Sequence, residues 1–251
     1  MLDILLLGCC GKMGTAISQL VAQNHEMSIQ AGIDCSQDSR QQMEFPVFTK
    51  LGNDIPPADV VIDFSVPELL TDTVEWCCER KIPYVVGTTG ISVAQEKVLQ
   101  RASTLIPIFE SANMSLGIYV LTELALVAQK ALGEDFDIEI IERHHRGKVD
   151  SPSGTALSIA KSLRNADKEL FFTYGRKGQK KRAMGEIGIH SVRGGTIAGE
   201  HEILFAGADE SLTLSHHASS RMVFARGALR AAMWLSHQPP GKYTMKDLIV
   251  T

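Results

Sequence analysis

The sequence predicts an α/β protein, in which an N-terminal Rossmann-like parallel sheet domain is followed by a second, α+β domain. Strand-length apolar runs alternate with helical patterns through the first half, and this alternation is typical of a parallel sheet with right-handed crossovers. The second half is dominated by strand-like runs instead. Aromatic residues make up only 6% of the 251 residues and glycine occurs 21 times, which favours an α/β protein over a β-sandwich.

The first half of the chain is predicted to contain five strands separated by helices. The strands are short apolar runs, in chain order Leu2–Leu7, Ile29–Asp34, Asp59–Ser65, Ile82–Val86 and Leu105–Phe109. The helices predicted among them are Met13–Gln23, Pro67–Lys81 and Ser92–Ala102. The proline that begins the second of these helices suits a first turn, because its missing N–H would have no partner there.

The second half follows a different pattern, in which strands outnumber helices. A long apolar helix, Leu116–Ala131, comes first. The four strand-like segments after it are Phe136–Glu142, Glu186–Val192, Glu200–Phe205 and Ser211–His216. One helix, Thr155–Leu163, lies among them, and a last helix spans Met222–Leu235. We expect this last helix to return to the first domain, which gives residues 1–113 plus 222–251 as one domain and 114–221 as the other.

Composition excludes several classes of protein. With 44% hydrophobic and 22% charged residues, the chain can bury a core, so global disorder is excluded. The formal net charge is −4, whereas a general nucleic-acid-binding protein needs a basic surface. The most apolar stretch, Met114–Ala128, is interrupted by Thr122 and Glu123 and is shorter than the roughly 20 residues of a membrane span.

The N-terminus and the cysteines indicate a cytoplasmic protein. The first residues carry no basic leader, and their apolar run is too short for a signal peptide. The five cysteines are Cys9, Cys10, Cys35, Cys77 and Cys78, a spacing that forms neither a disulfide framework nor a Cys-x-x-Cys metal motif. A reducing compartment suits this pattern, and no metal or membrane partner is expected.

A glycine-rich turn lies between the first strand and the first helix. Its sequence, Gly8-Cys9-Cys10-Gly11-Lys12-Met13-Gly14, has the spacing G-x-x-G-x-x-G rather than the usual G-x-G-x-x-G of dinucleotide sites. Glycines here let the backbone approach a pyrophosphate, and the helix that follows offers unpaired N–H groups. Asp34, at the end of the second strand, would accept hydrogen bonds from the adenosine ribose. The alternative is a plain tight turn followed by a surface aspartate.

Two further strand ends lie at the edge where open α/β sheets bind ligands. They carry Asp63-Phe64-Ser65 and Gly87-Thr88-Thr89-Gly90, whose glycines and small hydroxyls suit a nicotinamide ribose passing over the backbone. Taken alone, the Gly87–Gly90 segment is equally consistent with a simple turn.

The residue after Asp34 bears on the choice between NADH and NADPH. Recognition of a 2′-phosphate usually needs a nearby cation, and Cys35 supplies none. Asp34 would repel the phosphate, although Lys12 in the turn could still reach it. We therefore expect NADH to be used at least as well as NADPH.

The densest group of chemically active residues is the segment Glu142–Ala156, with the sequence ERHHRGKVDSPSGTA. Its basic residues and histidines precede a helix start of small residues, and they are Arg143, His144, His145, Arg146 and Lys148. A helix N-terminus binds carboxylate or phosphate through its unpaired N–H groups. Histidine and lysine can also donate protons near neutral pH. This segment therefore predicts a site for a small anion with more than one acidic group.

Alternatives for this segment are a metal site and a solvated basic loop. A metal site would need a third ligand close in sequence to His144 and His145. The other histidines of this half of the chain are scattered and do not supply one. His216-His217 closes another strand and is expected to be structural or an interface feature, although it could line the same site. A second basic segment, Arg176–Arg182, is expected to be a solvated loop rather than a nucleic-acid contact.

The segment Glu142–Ala156 resembles the signature of the dihydrodipicolinate reductases, also called 4-hydroxy-tetrahydrodipicolinate reductases. The resemblance extends over nearly the whole chain. It includes the opening glycine turn, Gly87-Thr88-Thr89-Gly90, Ser111-Ala112-Asn113-Met114, Gly199-Glu200-His201 and Ser219-Ser220-Arg221-Met222-Val223-Phe224-Ala225.

The resemblance implies a two-domain NAD(P)H-dependent reductase of diaminopimelate and lysine synthesis, which acts on a cyclic imine dicarboxylate. It also implies a homotetramer built through the sheets of the second domains. His144 would be the catalytic acid–base residue and Lys148 the proton donor. The substrate carboxylate would be held by His145, Ser153, Gly154 and Thr155. The cofactor-binding residues would be Gly8, Cys9, Cys10, Gly11, Lys12, Met13, Asp34, Gly87, Thr88, Thr89, Ser111, Ala112, Asn113, Met114 and Arg221. Many relatives carry an arginine where this chain has Cys35.

Three other functions on the same architecture are alternatives to this one. A semialdehyde dehydrogenase needs a nucleophilic cysteine near the second-domain site, yet every cysteine precedes residue 79. A non-catalytic dinucleotide-sensing protein would not need His144, His145 and Lys148 beside a helix start. Another NAD(P)-dependent reductase of a small dicarboxylate also remains as an alternative.

Overall fold

A computed structural model describes residues 1–35 and 43–250 of the chain. The chain divides into two compact units. The first unit is Met1–Ser115 together with Arg221–Thr251, and the second is Leu116–Ser220. Every candidate site residue lies within the described ranges.

The first unit is built on a seven-stranded sheet in which all pairs of neighbouring strands are parallel. Its strands are β1 (Leu2–Leu7), β2 (Met27–Ile33), β3 (Val47–Phe48), β4 (Val60–Asp63), β5 (Tyr84–Val86), β6 (Pro107–Glu110) and β12 (Gly241–Tyr243). Their spatial order is β3-β2-β1-β4-β5-β6-β12. This is the Rossmann order extended by one strand, and its direction reverses between β1 and β4, where sheets of this kind bind their ligands.

Helices cover this sheet. They are α1 (Lys12–Val21), α2 (Leu70–Arg80), α3 (Val93–Ala102), α6 (Met222–Leu235) and α7 (Met245–Val250). Helix α1 buries Ile17, Leu20 and Val21 on one face, as the apolar spacing predicted. Helix α6 packs closely because of Gly227, where an added Cβ would lie 1.7 Å from the Met114 carbonyl oxygen. The predicted Rossmann-like sheet is therefore confirmed.

The second unit contains a five-stranded mixed sheet and two helices. The strands are β7 (Asp137–His144), β8 (Phe171–Tyr174), β9 (Glu186–Arg193), β10 (Gly199–Ala206) and β11 (Ser211–Ala218), in the order β11-β10-β7-β9-β8. The two helices are α4 (Leu116–Leu132) and α5 (Gly154–Ala166). Both pack their buried faces against one face of the sheet, and this layer forms the core of the unit.

The alternation of side chains along β7 positions the chemistry of the second unit. Ile138 and Ile140 face the helices and are buried, and the same period of two brings Glu142 and His144 to that face at the end of the strand. Arg143, between them, is directed to the opposite face. The two buried polar side chains therefore lie beside the start of α5.

Most predicted elements are present, with ends displaced by a few residues. The first strand and the last long helix have the predicted bounds, Leu2–Leu7 and Met222–Leu235. The helix predicted from Pro67 starts as a short 3₁₀ segment, Pro67–Leu69, before α2. Four elements were not predicted from the sequence, because they span only two to six residues each and show no clear period: β3, β8, β12 and α7.

The expectation that no segment is long enough to span a membrane is wrong for α4. Helix α4 and the 3₁₀ segment Gly133–Asp135 that follows it form one helical stretch, Leu116–Asp135, that meets the length and composition of a membrane span. The helix nevertheless packs Ile118, Leu121 and Ala125 into the core of the second unit. One face of α4 therefore belongs to this core, while its other face exposes the apolar side chains of Val120, Leu124 and Val127.

Candidate active site

The glycine turn between β1 and α1 has no room for side chains at two positions. Gly8 has a φ of +71°, and an added Cβ would lie 2.4 Å from the Phe64 carbonyl oxygen. A Cβ on Gly14 would lie 2.3 Å from the Gly8 oxygen. The first turn of α1 carries no acidic side chain and no side-chain cap. Its backbone N–H groups can therefore receive an anion such as a pyrophosphate.

Asp34 follows β2 and lies next to this turn. Its carboxylate accepts a hydrogen bond of 2.9 Å from the Cys10 N–H, which fixes it beside the glycines. Lys12, the first residue of α1, and Cys35, two residues after the end of β2, are both exposed. A carboxylate at this place can bind the hydroxyls of a ribose, as the sequence predicted.

One cluster among the described residues has metal-type ligands, and it belongs to this same turn. The sulfurs of Cys9 and Cys10 lie 3.9 Å apart, and an Asp34 oxygen lies within 4.8 Å of both. Burial, together with the Cys10 sulfur, raises the pKa of the Cys9 thiol to about 12. The Cys9 thiol is therefore protonated at neutral pH.

The loops after β4 and β5 are held together by a buried carboxylate. Asp63 accepts hydrogen bonds from the Tyr84 hydroxyl (2.5 Å), the Thr88 hydroxyl (3.0 Å) and the Ser65 N–H (2.7 Å). A Cβ on Gly87 would lie 2.4 Å from the Phe64 ring. Asp63 therefore shapes these loops from inside the sheet, while Thr89 is exposed at their surface.

The segment Ser111-Ala112-Asn113-Met114 follows β6 at the same edge of the sheet. The Ser111 hydroxyl donates to the Asn113 carbonyl oxygen at 2.7 Å, and the Asn113 side chain accepts from the Ser115 N–H at 2.8 Å. Met114 is buried against α6. Arg221 is exposed and immediately precedes the first residue of α6.

The second unit contains a buried Glu–His pair at the end of β7. The Nδ1 of His144 lies 2.6 Å from Oε2 of Glu142, a fully buried carboxylate. Arg193, on β9, donates to both oxygens of Glu142 at 2.7 Å each. Burial raises the pKa of Glu142, but the hydrogen bonds from Arg193 and His144 outweigh this and hold it at about 2. Glu142 is therefore ionised at neutral pH.

Burial also lowers the pKa of His144, although its bond to Glu142 opposes this shift. His144 is therefore neutral near pH 7, with its Nδ1 proton donated to the acceptor-only carboxylate. The free Nε2 lies near Gly199, where an added Cβ would be 3.2 Å from it. Glycine at this position keeps the space beside Nε2 open.

Ser153 and His201 form the boundary between this pair and α5. The Ser153 hydroxyl accepts from the Ala156 N–H at 3.2 Å, which caps the helix, and it lies 3.1 Å from Nε2 of His201. The Ser153 N–H donates to Glu142 at 3.0 Å. Burial, with the His144 ring nearby, lowers the pKa of His201 to about 3, so this ring is neutral. Both polar groups of Ser153 therefore serve the framework of the site.

A carboxylate of the protein itself lies at the start of α5. Asp150 accepts from Lys148 Nζ at 2.8 Å and also from the Gly154 N–H. Burial raises the pKa of Asp150, but these hydrogen bonds outweigh it and lower the value. Lys148 and the helix start together thus bind a carboxylate group. His145, which is half-buried, lies between this loop and β7.

One expectation about the basic residues was wrong. Arg143 does not join the cationic site, because it lies on the other face of β7 and pairs with Glu202 at 3.2 Å. The segment Arg176–Arg182 is a largely exposed loop, as predicted, but its two arginines form ion pairs with the side chains of Glu139, Glu186 and Asp137. Sequence charge alone does not show these partners.

Three residues of the second site were missed. Glu142 was part of the recognised segment but had no role assigned to it, although its spacing of two from His144 on a strand indicates the same face. Arg193 and His201 lie about 50 residues further along the chain. No local signal connects them to His144, because only the pairing of β9 and β10 with β7 brings them there.

The fold and the two sets of residues define an NAD(P)H-dependent oxidoreductase with a Rossmann-type nucleotide unit and a separate unit that carries acid–base residues. Models of the dihydrodipicolinate reductase N-terminus and C-terminus match residues 2–114 and 117–249. The chain therefore belongs to the dihydrodipicolinate reductase family, and the resemblance seen in the sequence is confirmed.

Individual relatives agree with this assignment. The chain is 48% identical to the 4-hydroxy-tetrahydrodipicolinate reductase of Caldanaerobacter subterraneus, over 99% of this chain and 98% of the relative. It is 46% identical to the enzyme of Clostridium tetani, over 99% and 97%. A dipicolinate-bound dihydrodipicolinate reductase from a Paenisporosarcina species superposes with a TM-score of 0.78, at 25% identity and 97% coverage of both chains. A probable dehydrogenase from Thermotoga maritima shares only the fold, with a TM-score of 0.62 and 12% identity.

Proposed function

We propose that this chain reduces 4-hydroxy-tetrahydrodipicolinate to tetrahydrodipicolinate with NAD(P)H, in the diaminopimelate route to lysine. The main observation that supports the proposal is a carboxylate-binding position at the start of α5, near His144 and Lys148. Asp150 occupies it in this structure, and a substrate carboxylate has the same chemistry. Relatives that carry this activity in their names match the whole length of the chain.

The residues of the first unit fit a dinucleotide. Gly8 and Gly14 let the turn close against backbone atoms that an added Cβ would strike, and the start of α1 offers N–H groups to a pyrophosphate. Asp34 would bind the adenosine ribose. The remaining contacts would come from Cys9, Cys10, Gly11, Lys12, Met13, Gly87, Thr88, Thr89, Ser111, Ala112, Asn113, Met114 and Arg221. When bound, NADH or NADPH supplies the hydride, which adds at ring C4 of the dehydrated substrate.

The second unit would bind the substrate and carry out the proton transfer. Addition at C4 sends electrons toward the imine nitrogen, so a proton must reach C3 to restore the imine. The Lys148 ammonium can give this proton, and neutral His144 can accept one at Nε2 and return it. His145, Gly154 and Thr155 would hold the carboxylate, with Ser153 keeping the start of α5 in place. The Lys148 ammonium and the N–H groups at the start of α5 would stabilise charge as it develops.

The proposal is tested by coupling the chain to a dihydrodipicolinate synthase, with pyruvate and aspartate semialdehyde, and following NADH absorbance. Oxidation that depends on both the synthase and this chain is the expected result. Binding of NADH without its oxidation would overturn the proposal and favour a dinucleotide-sensing protein. Oxidation with other small dicarboxylates alone would favour a different reductase.

We further propose that the chain acts as a cytoplasmic homotetramer assembled through the second units. The sheet face opposite α4 and α5 carries half-exposed or exposed apolar side chains of Ile141, Val192 and Leu204 among ion-paired residues. The five cysteines are free thiols, which suits a reducing cytoplasm. A solution mass four times the 27.4 kDa of the chain is expected from light scattering.

A further inference from the structure

We propose that the buried Glu142 and the partly buried Arg193 form a positioning pair, which sets the tautomer of His144 and holds the loop that leads into α5. The inference rests on the proposed function and deepens it. Each carboxylate oxygen of Glu142 accepts two hydrogen bonds. Oε1 accepts from Arg193 and from the Ser153 N–H, and Oε2 accepts from Arg193 and from His144. Each of these bonds is 3.0 Å or shorter.

The pair meets the electrostatic requirement for burying a carboxylate. An ionised carboxylate that is fully buried is costly unless a cation and hydrogen bonds compensate it. Arg193 supplies a two-pronged contact from the neighbouring strand, where it is the register neighbour of His144. Glu142 can therefore stay charged and act only as an acceptor toward Nδ1 of His144.

This acceptor decides which nitrogen of His144 carries the proton. With Nδ1–H bonded to Glu142, the neutral ring presents the lone pair of Nε2 toward the space beside Gly199. The charged or titratable groups that face this ring are Glu142 on its own strand, Arg193 on β9, His201 on β10 and Lys148 in the following loop. Of these, Glu142 alone favours the protonated ring.

The same pair ties the ring to the carboxylate-binding loop. Arg193 donates to the Asp150 carbonyl oxygen at 2.7 Å, and Glu142 accepts from the Ser153 N–H at 3.0 Å. Both ends of the 150–153 loop are therefore fixed to one buried ion pair. A displacement of the pair would move His144 and the start of α5 together.

The test compares Glu142→Gln with Glu139→Gln. Glu139 is a matched control, because it also lies on β7 and contacts a histidine of β9, His190, at 2.7 Å, but on the other face of the sheet. In Glu142→Gln we expect kcat to fall on the order of 10²-fold through misplacement of His144, with a smaller change in KM. The acid limb of the kcat profile should move to lower pH, because a carboxylate that favoured the protonated ring is gone. Glu139→Gln should change neither quantity.

Nitrogen NMR of His144 provides the second readout. The wild-type His144 ring should be protonated at Nδ1. In Glu142→Gln the ring should be protonated at Nε2 instead, or should be a mixture of the two tautomers. If Glu142→Gln fails to fold, Arg193→Lys keeps the charge but loses the two-pronged contact, and it should show the same changes more weakly. A kcat within twofold of wild type with an unmoved acid limb, in whichever variant folds, would overturn the inference. Inactive wild-type protein would instead overturn the proposed function.

Discussion

Glu142, Arg143 and His144 are consecutive residues of β7, yet their side chains meet two different environments. Glu142 and His144 are buried beside α5, whereas Arg143 pairs with Glu202 on the other face of the sheet. The period of two along a strand makes this division. A count of positive charges in the segment therefore overstates the charge available to a substrate, which comes from Lys148 and the helix start.

Alanine substitutions should separate the two proposed catalytic residues. His144→Ala is expected to lower kcat by about 10²–10⁴-fold with little change in KM, because it removes acid–base help. Lys148→Ala should lower kcat and also raise KM, since the ammonium both donates a proton and attracts a carboxylate. Lys161→Ala, an exposed lysine on α5, serves as the control in steady-state kinetics. Near-wild-type kcat for both His144→Ala and Lys148→Ala would contradict these roles.

The residue at position 35 should influence which nucleotide is preferred. Cys35 places no cation beside Asp34, and the Asp34 carboxylate repels a 2′-phosphate. We expect NADH to give a kcat/KM at least equal to that of NADPH, measured with both cofactors under the same conditions. Cys35→Arg should raise kcat/KM for NADPH relative to NADH. A tenfold preference of the wild type for NADPH would contradict this expectation.

At the scale of elements, the β1–α1 turn shows why a weak motif can still form a nucleotide site. Its glycine spacing differs from the usual fingerprint, but the turn follows the first strand of a parallel sheet and lies at the point where the strand order reverses. Gly8 and Gly14 are required by close backbone contacts rather than by the motif as such. The context of the turn, which the sequence did predict, carries more information than its spacing.

Gly14→Ala should damage this turn. The new Cβ would lie 2.3 Å from the Gly8 oxygen and 2.4 Å from the Cys9 oxygen, and neither backbone group can move without displacing α1. We expect the dissociation constant for NADH, measured by fluorescence titration, to rise at least about tenfold, a loss of about 1.4 kcal/mol. Gly194→Ala is the control, because a Cβ there meets nothing within 4 Å. Unchanged NADH binding by Gly14→Ala would show that the turn does not hold the cofactor.

At the scale of the whole molecule, the net charge of −4 is an average over units with different chemistry. In the second unit the buried Glu142 carboxylate accepts hydrogen bonds from Arg193 and lies close to two neutral histidines, His144 and His201. Such groups make stability depend on pH, because their protonation in the folded chain differs from that in the unfolded chain.

Acidification from pH 7 to pH 5 should destabilise the protein through His201. Burial lowers its pKa to about 3, so the unfolded chain takes up a proton below its ordinary value of 6.5 while the folded chain does not. Stability is therefore lost as pH falls from about 6.5 toward 3, and the loss at pH 5 is about 2 kcal/mol. Urea unfolding of His201→Asn should show a smaller drop, and the exposed His25→Asn should retain it. An equal drop in wild type and His201→Asn would contradict this assignment.

A charge on the open face of the second sheet should disrupt the proposed tetramer. Leu204→Glu places a carboxylate next to Glu139, its register partner on β7, and buries it if the faces meet. We expect light scattering to report a smaller species for this variant, whereas Glu96→Gln, on the exposed surface of α3, stays as the wild type. A wild-type mass for Leu204→Glu would place the interface elsewhere.

The sequence by itself determined the class of fold, the family and the segments that carry chemistry. These depend on local information: the alternation of strands and helices, the glycine turn and the residues from Glu142 to Ala156. Short elements such as β3 and β12 could not be predicted, because two or three residues show no period and form strands only when a neighbouring strand supplies hydrogen bonds.

Only the tertiary structure decided which charges act together. Arg193 reaches Glu142, and His201 reaches Ser153, across about 50 residues of chain, because strand pairing places β9 and β10 on either side of β7. Alternation along β7 directs Arg143 away from the site, and the pairing of β7 with β9 gives the arginines of Arg176–Arg182 acidic partners. Burial then determines the protonation of His144 and Glu142, since the cost of a buried charge depends on neighbours that are distant in sequence.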